Sequence, residues 1–338
     1  MKVKTGKKKS FIKKIFIQIC RRLGYEIIDQ ANYEVATSEK KLHESQSIQG
    51  VKSITIPTGT IKINRKIKNL HIIFRCCFLD SMLTQRKKRL FDYPKKEYAL
   101  RSLNSICKSI IYYQNNNPDF KIKLTVSDTR SEQKDLNSVK SLLKKFKINS
   151  EVSVTDLDKF KDKIKGIKSL AMFSYMANVY NSFLMVKDQD YDLIYFVDDD
   201  YIHRIEAIQE MVLSYEKLAT ITKQEMFLCP CDYPYLYFKP EPTYILLGDR
   251  YHWRRVTESL CTFVTSKSMI LKNWNQLIKL ANKVNDPFEK PLDKLYDNEL
   301  CFSPIKTLSI HCANINSIFG LSPNTNWQKL WLDNKIKK

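Results

Sequence analysis

The chain reads as an α/β protein with a mostly parallel central sheet flanked by helices and preceded by a basic helical extension. Three observations predict it. Short apolar β-type runs alternate with helix-length periodic segments from about residue 66 onward, the pattern of βαβ units. The strongest run, Leu193-Ile-Tyr-Phe-Val197, opens directly onto Asp198-Asp-Asp200, and ligands of open α/β sheets bind just beyond strand ends. With 338 residues, 43% of them hydrophobic, the chain is long and apolar enough to bury a sizeable core.

The first 24 residues hold nine Lys/Arg and no acid. Phe11, Ile12, Ile15, Phe16, Ile19 and Leu23 recur there at helical spacing, with Lys13, Lys14, Arg21 and Arg22 between them. This is a basic amphipathic helix suited to an anionic leaflet. Lys13 and Lys14 interrupt the apolar core that a signal peptide needs, and no later run approaches the ~20 apolar residues of a membrane span. Residues 25–65 are polar, with turn signals at Pro57–Gly59, and read as an accessory region or linker.

Strand Leu70–Phe74 comes next, then a helix near Lys95–Tyr113 carrying Tyr98, Leu100, Leu103, Ile106 and Ile110 on its apolar positions. Strand Ile122–Val126 leads into Ser127-Asp128-Thr-Arg130, a helix spans Leu136–Phe146, and a short strand covers Glu151–Val154. The spacing predicts helices over Leu170–Val186 and Arg204–Leu218 on either side of the Leu193–Val197 strand. No internal repeat is present.

Composition excludes several functions. Only seven glycines occur, at positions 6, 24, 50, 59, 166, 248 and 320. None are spaced as GxG or GxxxxGK, so neither a dinucleotide fingerprint nor a phosphate-binding loop is present. A nucleotide must therefore be held by side chains or through a metal. The net charge of +21 suits an anionic partner or a lysine-rich bias. No helix-turn-helix, zinc-finger or RNP-like motif supports nucleic acid as that partner. Nine cysteines without paired C-x-x-C motifs indicate reduced thiols, hence a cytoplasmic protein, and Cys229-Pro-Cys231 reads as two ordinary buried or loop thiols.

Asp198, Asp199 and Asp200 at one strand mouth raise one another's pKa values, a conflict that a divalent cation relieves. Hard oxygen donors suit Mg²⁺ or Mn²⁺. Three enzyme classes place aspartates after an apolar strand. P-loop NTPases lack support without the phosphate loop, and phosphoryl-transfer enzymes with an Asp-x-Asp nucleophile lack the expected continuation. Sugar-nucleotide-dependent transferases remain.

The stretch Phe196-Val-Asp-Asp-Asp-Tyr-Ile-His203 resembles the DXD segment of GT-A glycosyltransferases, specifically the family-2-like enzymes of bacterial surface-polysaccharide synthesis. The resemblance extends in order through Ile72–Arg75 with Lys95–Leu103, Leu124–Ser131, Asp232-Tyr-Pro234, His252–Arg254, Cys261–Phe263 and Phe302–His311. It implies a GT-A domain over residues 66–325, with 1–65 as the basic helix and accessory region and 326–338 as a tail. It also implies a metal-dependent transfer of a sugar from a nucleoside diphosphate, UDP above others, to a glycan or lipid-linked acceptor, at the inner face of the membrane. By the same resemblance Asp200 and His311 would ligate the metal and Asp199 would hydrogen-bond the ribose. Asp198 would support either, and Arg75 and Asp128 would flank the nucleoside.

The departing diphosphate needs charge stabilisation, to which Arg254 or Arg255 could contribute. An inverting enzyme further needs a carboxylate base. Asp297 comes first, Glu289 second, with Glu299 and Glu258 behind them. These acids are spread over 286–299 instead of forming the adjacent acidic pair usual in the family. Tyr251 and Trp253 are candidates for stacking on an acceptor sugar. A metal-dependent nucleotidyltransferase is the alternative reading.

Overall fold

The apolar runs fold as their patterns require. The computed structural model describes residues 11–25, 35–37, 60–79, 90–187, 189–237, 243–285, 287–312 and 320–336. The chain divides into two compact units, Met1–Arg65 and Lys66–Lys338. In the first, helix α1 (Phe11–Arg22) precedes strands β1 (Val35–Thr37) and β2 (Thr60–Lys62), which pair in parallel.

The second unit begins with β3 (Asn69–Cys76), α2 (Lys95–Asn116), β4 (Lys121–Asp128), α3 (Gln133–Phe146) and β5 (Ser150–Val154). It continues through α4 (Leu170–Lys187), β6 (Leu193–Asp198), β7 (Tyr201–His203), α5 (Ala207–Thr222) and β8 (Met226–Leu228). Strands β9 (Ile245–Leu247), β10 (His252–Arg255) and β11 (Phe263–Ser266) follow, then the short helices α6 (Lys267–Lys272), α7 (Trp274–Leu277), α8 (Lys279–Asn282) and α9 (Lys290–Tyr296). Strands β12 (Leu300–Pro304) and β13 (Ser309–His311) and helix α10 (Trp327–Asp333) complete it.

Nine strands form one sheet in the order β5-β4-β3-β6-β11-β8-β12-β10-β9. Strand β11 is antiparallel to both its neighbours, β6 and β8, and β10 to both of its own, β12 and β9. The other seven therefore run one way, so the sheet is mostly parallel in direction but mixed in pairing.

Alternation along the central strands feeds two cores. Ile72, Phe74, Leu193, Tyr195 and Val197 pack on one face with residues of α2 and α5. Ile73, Ile194 and Phe196 pack on the other with α4 and α6–α9. Strands buried on both faces read as continuous apolar runs, which is why Leu193–Val197 stood out.

Glycine scarcity shows in the caps. Helices α3 and α5 end at Lys147 (φ 54°) and Lys223 (φ 57°), both in the left-handed region where helix C-caps favour glycine. Gly248 is kept for another reason: a Cβ there would collide with Ser214 Oγ and the Trp253 ring.

One expectation needs correction. The segment expected as a C-terminal tail carries α10, which is part of the second unit and buries Trp331 against Tyr98 and Phe91. Arg101 fixes it further, donating from Nη1 to the Trp331 carbonyl at 2.8 Å. The run before His311 lies outside the central sheet. Strand β13 pairs antiparallel with β7 as a separate two-stranded ladder that sets His311 opposite Tyr201.

Candidate active site

Burial of β6 on both faces drives its last residues out at the carboxyl edge of the sheet. Asp198 ends the strand, Asp199 and Asp200 form a tight turn, and β7 begins at Tyr201. The parallel partner β3 ends alongside, with Arg75 registered opposite Asp198.

Each carboxylate has a different partner. Arg75, its side chain 2% exposed, donates from Nε to Asp198 Oδ1 at 2.9 Å and from Nη2 to the Cys261 carbonyl at 2.7 Å. Its Nη1 is buried without a hydrogen-bond partner among the described residues. Asp199 accepts from the Cys77 amide at 3.2 Å and lies 3.5 Å from the Lys95 ammonium at the start of α2. Asp200 Oδ2 lies 3.2 Å from His311 Nε2, and the Asp200 carbonyl accepts from the Cys312 amide at 2.8 Å. The His311 ring stacks on Tyr201 with centroids 4.6 Å apart, and the Tyr201 hydroxyl meets that of Tyr233 at 2.8 Å.

Electrostatics follow from burial. Desolvation raises the Asp199 carboxyl to about 6; Lys95 opposes the rise, while Asp200 and Asp198 reinforce it. Burial raises Asp198 as well, against the pull of Arg75. The turn thus concentrates negative charge that its own cations only partly neutralise.

Asp128 ends β4 opposite Cys76 and is turned into its own loop. It accepts from the Ser131 hydroxyl at 2.5 Å and the Ser131 amide at 3.2 Å, and burial raises its carboxyl. Ser131 in turn accepts from the Phe78 amide at 2.9 Å, so the β3 and β4 loops are tied together.

The surroundings of Asp200 offer few donors to a cation. Among the described residues no group of three or more His, Cys, Asp or Glu side chains converges on one point. What is present is an adjacent carboxylate and imidazole, Asp200 and His311, each only partly exposed. Two protein donors fit a Mg²⁺ or Mn²⁺ that keeps its remaining positions for phosphate oxygens and water.

The base candidates separate clearly. Glu289 sits just before α9; burial and then the Asp198 charge raise its carboxyl, while His311 opposes. Asp297 lies at the far end of α9 and is exposed. Glu299 is engaged with Lys272 at 2.7 Å and Asn273 at 3.1 Å. Asp293, which sequence reasoning passed over, lies one turn beyond Glu289 on the same helix face. Burial, Glu258 and Glu289 together raise its carboxyl to about 7. Only the i,i+4 spacing of Glu289 and Asp293 could have flagged it.

The remaining predicted residues are differently employed. Arg254 forms an ion pair with buried Asp232. Trp253 is fully buried and donates from Nε1 to Glu210 Oε1 at 3.1 Å, so it is core and not a platform for sugar. Tyr251 donates to Glu206 at 2.6 Å, and its ring is covered by the Lys306 ammonium at 4.7 Å. Cys229 and Cys231 are buried free thiols.

No protein-family model matches the chain, and no curated protein matches it. It is similar to several solved structures. The galactosyltransferase LgtC, in complex with donor and acceptor sugar analogues, aligns over 69% of this chain and 72% of that one, at 11% identity and a TM-score of 0.34. A UDP-glucose pyrophosphorylase complexed with UDP-glucose aligns over 74% and 95%, at 8% identity and a TM-score of 0.38. The bifunctional glycosyltransferase WbbM aligns over 66% of this chain but 35% of its own, at 10% identity and a TM-score of 0.34. Function is therefore read from the residues of the site.

Proposed function

We propose that the protein is a divalent-metal-dependent glycosyltransferase that moves a sugar from a nucleoside diphosphate to a glycan or lipid-linked acceptor. One observation carries this reading: three aspartates leave the central strand at the carboxyl edge of the sheet, and Asp200 lies 3.2 Å from His311 on a strand brought in from more than a hundred residues away.

Asp200 and His311 would hold the cation, which supplies charge stabilisation for the departing diphosphate. Asp199, held by the Cys77 amide and Lys95, presents a carboxylate at the same edge and would bind the ribose hydroxyls. Arg75 locks Asp198 in place while its buried Nη1 keeps unused donor capacity. Glu289 is the better base candidate: burial raises its carboxyl and the charges of Asp198 and His311 act on it, whereas Asp297 is exposed.

Reverse-phase detection of nucleotide release from a panel of UDP-, GDP- and dTDP-sugars, with and without Mn²⁺, tests the reading. Release of the nucleoside diphosphate that needs Mn²⁺ and is lost in Asp200→Asn is expected. Metal-independent release, or release of pyrophosphate instead, contradicts it.

Helix α1 extends the reading to location. Phe11, Ile12, Phe16 and Ile19 are exposed on a helix within a segment free of acids. No helix among the described residues is long and apolar enough to cross a membrane. An anionic leaflet satisfies both the apolar face and the lysines, placing the enzyme beside lipid-linked acceptors. Co-sedimentation with vesicles of phosphatidylcholine and phosphatidylglycerol should fall on deletion of residues 1–24; unchanged binding contradicts this placement.

A further inference from the structure

The aromatics that sequence alone offered for sugar stacking are committed elsewhere, and the geometry points to a different one. Tyr237 is half exposed, with the Arg254 guanidinium 4.3 Å from its ring centroid. Its hydroxyl donates to Asp232 Oδ2 at 2.5 Å, and the other oxygen of that carboxylate accepts from Arg254 Nη2. Asp232 is 1% exposed, so the carboxylate acts as a buried anchor that fixes both the ring and the guanidinium. Arg254 Nε is buried and has no hydrogen-bond partner among the described residues.

Hydrogen bonds from Asp232 and its neighbour tie this trio to the site already described. The Asp232 amide donates to Thr307 Oγ1 at 3.1 Å, and Thr307 donates in turn to the Ser309 carbonyl at 2.6 Å on β13, the strand that delivers His311. The next residue, Tyr233, reaches the Tyr201 hydroxyl beneath the His311 ring. Other exposed tyrosines are placed differently. Tyr93 packs on Trp331, and Tyr244 sets its edge on Phe302.

We propose that Tyr237 and Arg254 form the acceptor-sugar subsite, with Asp232 as their positioning residue. The exposed Tyr237 ring receives the apolar face of a pyranose, and the Arg254 guanidinium packed against that ring holds its plane. An aromatic plane beside a held cation matches a ligand with one apolar face and a polar rim.

The inference rests on the transferase reading, and one experiment separates the two. Wild-type protein with Mn²⁺ is given the sugar-nucleotide panel and p-nitrophenyl β-glycosides of glucose, galactose and N-acetylglucosamine. Products are partitioned between glycoside and water by chromatography. Tyr237→Ala and Arg254→Met should each shift the partition at least tenfold toward water by raising the glycoside KM. Tyr237→Phe, which keeps the ring, should restore it to within threefold, a rescue that a general packing role would not produce for partition alone. Absence of nucleotide release by the wild type overturns the transferase reading and the subsite together. Release without transfer to any glycoside, or an unshifted partition in the variants, overturns the subsite alone.

Discussion

Arg75 and Asp198 offer the sharpest test of how the site is held together. The guanidinium is 2% exposed and makes two hydrogen bonds, to Asp198 at 2.9 Å and to the Cys261 carbonyl at 2.7 Å, so it links β3, β6 and the loop before β11. Arg75→Met keeps length and apolar bulk but strands a buried carboxylate. Removing one partner of such a pair costs about 3–5 kcal/mol. Asp198→Asn leaves an acceptor for Nε and removes the charge, and it should cost about 1–3 kcal/mol. The double variant no longer buries an unpaired charge, so its loss should fall short of the sum by about 2 kcal/mol, within the range found for residues in contact. Urea unfolding of the four proteins, with equal m-values required, measures the cycle. Single-variant losses that add to within about 0.5 kcal/mol would show that the two side chains are not coupled, and the reasoning would fail.

Three further outcomes are expected. Among the acids, Glu289→Gln should lower kcat about 10²-fold or more at unchanged donor binding, whereas exposed Asp297→Asn should leave it within threefold; the reverse order would move the base to Asp297. Burial lowers His203 to about 3 and His71 to about 4, both from 6.5. The unfolded chain therefore takes up these protons first as pH falls below 6.5, and stability drains toward pH 3–4 at up to about 1.4 kcal/mol per pH unit for each histidine. Denaturation midpoints from pH 7 to 4.5 should show this slope and its reduction by one proton in His203→Asn; an unchanged slope would show that His203 does not contribute. Lys147→Gly and Lys223→Gly relieve left-handed backbone at helix ends and should each add about 1 kcal/mol, read as a higher urea midpoint.

Much of this molecule is legible from local pattern, and its misses have physical causes. Leu193–Val197 announced itself because a strand buried on both faces must be continuously apolar, and its three aspartates follow from where the strand ends. His311 was named through the family resemblance, but its pairing with Asp200 depends on the β7–β13 ladder, a contact across more than a hundred residues that no local pattern encodes. Trp253 and Tyr251 resembled exposed stacking residues because composition cannot tell an aromatic that covers Glu210 from one that faces solvent. The α10 helix looked like a tail since its seven residues carry a single buried tryptophan. Reversal of β11 is likewise invisible locally, because an antiparallel strand buried on both faces shares its composition with a parallel one.

Metal-dependent nucleotide release tests the central claim most directly. Wild-type protein, stripped with EDTA and assayed against the sugar-nucleotide panel, should be inactive until Mn²⁺ or Mg²⁺ is added, and Asp200→Asn should stay inactive at any metal concentration. Full release in EDTA, or release by Asp200→Asn equal to the wild type's, contradicts the assignment of Asp198–Asp200 and His311 as the site of sugar transfer.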